Sequence, residues 1–223
     1  MALAESGADV ALTFQNSADR ANAVVSSIEK LGQRGAAIQA DSADPIAIKR
    51  SVEEAVVALG GLDILVNNAG IALYNTIADF SVSDIDALLA VNVRGPVLTT
   101  QAAIPHLGAG GRVITIGSAG AERIVGTPGT IYYMTKSALQ SFTRGLAQEL
   151  GPKDITANLV QPGSTDTDMN PSNGESSDWQ RSLTPLGRYA EPADIAAAVS
   201  FLASPAARHL TGTIINVDGG LLA

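Results

Sequence analysis

The sequence predicts an α/β fold of three layers, α/β/α, built around a doubly wound parallel sheet. Three observations carry this. Short aliphatic or β-branched runs alternate with longer helical stretches along the whole chain. The short runs lack strict apolar–polar alternation, as strands covered on both faces do. No repeat or low-complexity segment interrupts the pattern. A chain of 223 residues suits one domain with one sizeable core, here residues 1–223.

The opening stretch Met1-Ala2-Leu3-Ala4-Glu5-Ser6-Gly7 reads as the last turn of a helix closed by glycine. So short a helix, with no N-cap and no strand before it, is marginal by itself. The chain is therefore expected to begin inside a β-α-β unit. A strand follows at Val10–Phe14, then a helix over 17–31 that stops at Gly32. The next strand is 36–40, and the next helix, 45–59, starts with Asp44 before Pro45 and stops at Gly60-Gly61. Ile64–Asn67 is the third strand, and Ser83-Asp84 opens one long helix over 83–107. Strands at Arg112–Ile116 and 156–160 flank a helix over 131–150. Glu191 before Pro192 opens a helix over 192–203, and 213–217 is the last strand. The stretch 163–187 is rich in Ser, Thr, Asp, Asn, Gly and Pro but also holds Met169 and the single Trp, Trp179. A long aperiodic loop with such apolar side chains reads as a lid over a site.

Composition narrows the function classes. Hydrophobic residues make up 46% and charged ones 16%, which argues for a packed core and against disorder. A net charge of −8 argues against nucleic acid or an anionic membrane as partner. The absence of Cys removes disulfides, thiolate catalysis and Cys-ligated metal, and no metal is expected. No apolar run approaches the ~20 residues of a membrane span, and residues 1–14 lack the features of a signal peptide. The reading is a soluble cytoplasmic protein acting on a small molecule.

Tyr132 and Lys136 stand four apart on the helix over 131–150, so both project from one face. A phenol titrates near pH ~10 in water. A neighbouring ammonium favours the phenolate, which is expected to lower that value and let Tyr132 exchange a proton with a substrate oxygen. Tyr133 competes for the role, but its partner four residues on is Ser137, which brings no charge. Ser118 follows the strand Arg112–Ile116, at the strand end where open α/β sheets bind ligands, and its hydroxyl suits a carbonyl oxygen gaining charge. Asn67-Asn68-Ala69-Gly70 occupies the same end of the strand before it, and Asn92 lies inside a helix, where Asn has poor propensity.

Taken together, Asn67-Asn68-Ala69-Gly70, Asn92, Ser118, Tyr132 with Lys136, and Pro162-Gly163 with Thr167 resemble the short-chain dehydrogenase/reductase family. Gly187-Arg188, Glu191-Pro192, Leu210-Thr211-Gly212 and Asp218-Gly219-Gly220 are similar to its bacterial 3-oxoacyl-carrier-protein reductases. The resemblance spans nearly the whole chain and implies a Rossmann-type fold. It implies hydride transfer between a nicotinamide cofactor and a carbonyl or secondary alcohol, with Tyr132 as acid/base and Ser118 polarising the carbonyl. Lys136 would tune Tyr132 and hold the nicotinamide ribose, and Asn92 would serve a water-linked proton path. Asn67, Ala69 and Gly70 would lie against the adenosine half, Asp41 near the adenine, and Pro162, Gly163 and Thr167 beside the nicotinamide. Plain structural readings stand beside these: Asn67-Asn68 tying strands together, Asn92 filling a helix kink, Pro162-Gly163 as a turn. His106 and His209 match no family site. The family also implies a homotetramer or dimer through its long helices, here about 83–107 and 131–150.

The cofactor expected is NADP(H) rather than NAD(H). An NAD enzyme usually places an acid at the end of its second strand, to accept from the ribose 2′-hydroxyl. Here Phe14 is followed by Gln15, Asn16 and Ser17, and Asn16, Ser17 and Arg20 are suited to donate to a 2′-phosphate. Two departures from the family stand out. Ser118 precedes Tyr132 by one residue more than the family pattern, which implies a longer loop over 119–131. The family also opens with a strand and a Thr-Gly-x-x-x-Gly-x-Gly turn that receives the pyrophosphate, and neither precedes Met1 in this sequence. The expectation is a sheet without its first strand, a slot of about 10 Å between the strands at 10–14 and 64–67, and weak cofactor binding. The alternative reading is a non-catalytic folded subunit, or truncated form, unable to bind cofactor.

Overall fold

The computed structural model describes residues 1–124, 126 and 128–223. Strands β1 (Val10–Phe14) and β2 (Gly35–Gln39) form one parallel pair. Strands β3 (Ile64–Asn67), β4 (Arg112–Ile116), β5 (Thr156–Pro162) and β6 (Ile214–Val217) form a second parallel sheet in that order. The registers run Ile64 to Arg112, Arg112 to Thr156, and Leu159 to Ile214. Among the described residues no ladder joins β1 to β3; a large cavity separates them, lined by Val10, Ala11, Leu12 and Thr13 on one side and by all of β3 on the other. Consecutive residues lining it is what two unpaired edges facing each other produce.

The four-stranded sheet is covered on both faces, as its unbroken apolar runs require. On one face Leu65, Val113 and Ala157 pack with Val52 of α3 (Pro45–Leu59), Ala103 of α5 (Gly95–Ala103), and Leu146 and Leu150 of α6 (Thr130–Leu150). On the other, Ile114 and Val160 pack with Val199 and Leu202 of α8 (Pro192–Ala203). Val113 and Ile114 point to opposite layers because successive strand side chains alternate. Ile114, Leu159 and Val160 are fully buried. β1 and β2 are covered mainly by α2 (Ala18–Glu29) and α3 and are mostly only partly buried, with Ile38 buried and Thr13 and Gln39 exposed.

Local chemistry sets most boundaries. The Asp44 carboxylate accepts from the Ile46 amide at 2.8 Å, and Gly60 closes α3 at φ 80°, a backbone conformation glycine takes without strain. The short α1 (Ala2–Glu5) buries Ala4, and Gly7 follows at φ 93°. At α8 the Glu191 amide donates to Asp194 at 2.8 Å.

Three expectations need correction. The helix expected over 83–107 is capped by Ser81, two residues before Ser83, and runs as α4 (Val82–Leu89), a π-helical turn (Ala90–Arg94), α5 and a 3-10 turn (Ile104–His106). The physical reason lies in Pro96, which has no N–H for the Asn92 carbonyl four residues back, while the Gly95 amide reaches back five residues to Ala90. The stretch 163–187 contains a helix, α7 (Ser177–Ser182), that its polar composition concealed. Strand edges shift by up to two residues: β2 starts at Gly35, β5 continues to Pro162, and β6 starts at Ile214.

Candidate functional site

The cavity between the sheets has a volume of about 1770 Å³ and continues to the C-terminal ends of β3, β4 and β5. There it is lined by Asn67, Asn68, Ala69, Gly70, Ser118, Tyr132, Lys136, Pro162, Gly163 and Thr167, bringing together most of the residues singled out in the sequence. Parallel strands all end on one side, so loops distant in sequence meet there.

Tyr132 and Lys136, one turn apart on α6, are 9% and 6% exposed, so both polar heads sit inside the protein. Ser118 and Tyr132 line the same cavity, and the Ser118 oxygen accepts from the Gly120 amide at 3.1 Å. The residue-longer loop after Ser118 therefore leaves this pair together. Val125 and Thr127 of that loop lie outside the described residues. Burial pushes the Tyr132 phenol above its ordinary value; the nearby Ser118 hydroxyl opposes this and the neighbouring Tyr133 adds to it. The expected lowering of this phenol by Lys136 is not what sets its value: Lys136 is not among the causes, and desolvation, which disfavours the phenolate, gives the direction. Burial also pulls Lys136 down to about 8.

The Lys136 ammonium donates to the Ile116 carbonyl at 3.1 Å. An ammonium has three donors, and this bond is the one Lys136 makes among the described residues. Asn92, in the π-helical turn, is 1% exposed and holds both polar atoms of Ile71: its Nδ2 donates to the carbonyl at 2.9 Å and its Oδ1 accepts from the amide at 2.9 Å. It also donates to Thr135 at 3.1 Å. A side chain at Gly70 would lie 3.3 Å from Lys136 Nζ and 3.4 Å from Asn92 Oδ1, so glycine is what lets this loop approach both.

Other predicted residues carry structural work. Asn67 is buried and donates to Thr100 at 3.0 Å and Thr115 at 3.3 Å, tying β3 to α5 and β4. The Asp41 carboxylate accepts from the Ala43 amide at 2.8 Å, within a turn whose neighbours Ala40 and Ser42 line the cavity. Thr167 is exposed and its hydroxyl accepts from Asn170 at 3.3 Å. Asn16 and Ser17 are exposed at the end of β1, where they line a second, smaller cavity of about 460 Å³ with Arg20. Arg20 is paired at 3.0 Å with Asp168 of the 163–187 stretch, which so reaches across to α2. Both partners are largely exposed, and such a pair is worth little in water. His106 and His209 are exposed.

Sequence reasoning missed Tyr74. Its ring lies 5.6 Å from that of Tyr132 at a tilt of 57°, and Tyr133 meets Tyr132 edge-on at 5.4 Å. Tyr74 sits in an irregular stretch after β3, and no local pattern marks its meeting with α6. The 163–187 stretch also has more internal order than expected. Gln180 of α7 exchanges hydrogen bonds with Asn170 at 2.9 and 3.0 Å and accepts from Ser164 at 2.6 Å. Among the described residues no helix is long and apolar enough to cross a membrane.

Residues 1–222 match the family model described as enoyl-(acyl carrier protein) reductase. A short-chain dehydrogenase from Burkholderia cenocepacia J2315, solved in complex with NADP, is 50% identical with a TM-score of 0.98, covering 99% of this chain and 90% of its own. A blue fluorescent protein from a metagenomic library, solved in complex with NADPH, is 46% identical with a TM-score of 0.98, covering 100% and 91%. A versicolorin reductase of Emericella nidulans is 39% identical over 99% of this chain and 88% of its own length. With the motifs in order, the strand ends converging on Tyr132, and likeness running through nearly the whole chain, this protein belongs to the short-chain dehydrogenase/reductase family.

Proposed function

We propose that this protein is an NADP(H)-dependent oxidoreductase that interconverts a carbonyl and a secondary alcohol on a small molecule. The observation that carries the reading is the buried Tyr132 with Lys136 one turn away, lining one cavity with the part-buried Ser118 and the ends of β3 and β5. Family membership, and relatives whose structures hold NADP or NADPH, support the same reading.

The residues present fit such a cofactor at both ends. Lys136 has two donors beyond its bond to Ile116, in a cavity wide enough for a nicotinamide ribose. Asn16, Ser17 and Arg20 stand at the end of β1; Arg20, paired through one nitrogen with Asp168, keeps further donors that suit a 2′-phosphate. When bound, the nicotinamide supplies or takes up the hydride. Tyr132, kept protonated at neutral pH by its burial, holds the proton for the substrate oxygen. Ser118 holds that oxygen in place and keeps the phenol oriented. Lys136 remains largely cationic below about pH 8 and favours the phenolate left after transfer. Asn92 keeps the loop at Ile71 against α6 and is the residue we assign to a water-linked path for reprotonation. Asn67, Ala69, Gly70 and Asp41 would flank the adenosine half; Pro162, Gly163 and Thr167 would border the nicotinamide.

The finer assignments follow the same reading. The chain acts as one dinucleotide-binding and catalytic domain over 1–223, with 163–187 as a substrate lid, in the cytoplasm. It forms a homotetramer or dimer through the outer faces of α4, α5 and α6, where Leu89, Val97 and Met134 are exposed. The test is NADPH consumption, with cofactor in the millimolar range, against a panel of ketones. Ketone-dependent oxidation is expected, with NADH less efficient. No carbonyl-dependent consumption with any ketone would overturn the proposal.

A further inference from the structure

Resting on the reductase reading, we infer that the substrate of this site is an uncharged ketone carried on a fused, planar aromatic ring rather than a sugar, an acid or a phosphorylated thioester. Tyr74 beside Tyr132 and the apolar side chains that the 163–187 stretch adds to the same cavity carry the inference. Large apolar side chains normally leave water on folding, yet Tyr74, Trp179 and Met169 remain 54%, 47% and 53% exposed, and all three line the cavity that holds Tyr132. Tyr74 lies against the Tyr132 ring at 5.6 Å, so an aromatic face flanks the proton donor itself. Trp179 approaches the loop before α6 closely enough that a side chain at Gly126 would meet its ring at 2.8 Å. Leu183 and Pro171 add further apolar lining from the same stretch.

Charge points the same way. The charged residues lining the cavity are Asp9, Arg34, Asp63 and Lys136. The first three sit before β1, β2 and β3, at the strand ends remote from Tyr132, and Arg34 is paired with Asp9 at 2.7 Å. Among the described lining residues Lys136 is the one charged residue at the reacting end, and its ammonium is tied to the Ile116 carbonyl. A phosphate or carboxylate set against Tyr74 and Trp179 would lose water without gaining a cation from the lining residues there. A planar aromatic loses little in water and gains ring contacts.

Trp179 is the only tryptophan of the chain, so its emission reports ligand entry without cofactor or turnover. The chain is titrated with 2-tetralone, cyclohexanone and acetoacetyl-coenzyme A, corrected against free N-acetyltryptophanamide. The same three are then assayed for NADPH-dependent reduction in the wild type, Trp179→Ala and Tyr74→Ala. Saturable quenching is expected with 2-tetralone alone. Its kcat/KM should exceed that of cyclohexanone at least about tenfold, with each substitution lowering that ratio about two- to tenfold, chiefly through KM. Equal efficiency with cyclohexanone or acetoacetyl-coenzyme A, or a ratio unmoved by both substitutions, overturns the inference. If no ketone is reduced, the reductase reading falls, and the quenching titration still decides for or against aromatic binding.

Discussion

The two sheets of this molecule are unequal partners. In the four-stranded sheet, β4 and β5 are buried along almost their whole length, and Ser118, Tyr132 and Lys136 are fixed where β4 and α6 meet. In the two-stranded sheet, β1 and β2 are half-buried, and Asn16 and Ser17, the residues suited to select the cofactor, stand in the open. The cavity between β1 and β3 divides these regions. The contrast teaches that the groups proposed for proton transfer, which benefit from desolvation, sit on the more buried sheet, while those proposed for a solvated phosphate stand exposed beside the half-buried pair.

That division makes the largest effect a chemical one. Tyr132→Phe removes one oxygen and should lower kcat by on the order of 10²–10⁴-fold while leaving NADPH affinity nearly unchanged. Equal losses for Tyr132→Phe and Tyr133→Phe would break the assignment between the two tyrosines. For stability, Leu159→Ala in the fully buried β5 should cost about 2–5 kcal/mol. Leu12→Ala in the partly buried β1 should cost clearly less, both read by urea unfolding. A larger loss at Leu12 would contradict the ranking of the sheets.

The pH profile sharpens the chemical half. Reduction needs the Tyr132 phenol protonated and Lys136 charged. Burial raises the first and pulls the second down to about 8, so both conditions hold at neutral pH and Lys136 fails first as pH rises. The rate of reduction should therefore be level near pH ~7 and fall up to about tenfold per unit above pH ~8. The smallest effect tests the looser sheet. Asn16→Asp places a carboxylate where the 2′-phosphate is expected and should weaken NADPH about five- to tenfold, with NADH changed less. A substitution that weakened both equally would remove Asn16 from cofactor selection.

Much of this was legible in the sequence where chemistry is local. Asp44-Pro45 and Gly60 delimit α3, and Glu191-Pro192 opens α8, because caps act within a turn. Tyr132, Lys136 and Ser118 were legible from helical spacing and a strand end. What escaped depends on distant contacts or on subtle backbone chemistry. The π-helical turn at Asn92 follows from Pro96, a proline tolerated because the helix widens ahead of it. The polar α7 is held by Gln180, Asn170 and Ser164 rather than by an apolar stripe. Tyr74 meets Tyr132 through folding alone. The charge relation was half legible: spacing gave the Tyr132–Lys136 pair, but burial, invisible in spacing, sets the direction of both shifts.

The central claim is that this chain moves hydride from a nicotinamide to a carbonyl carbon while Tyr132 supplies the proton. It is tested most directly with NADPH carrying deuterium at its transferable position and a reducible ketone, the alcohol product being read by mass spectrometry. The account predicts one deuteron on the carbinol carbon of each product molecule, formed at a rate that Tyr132→Phe nearly abolishes. An alcohol without label, or labelled alcohol formed as fast by Tyr132→Phe as by the wild type, would contradict it.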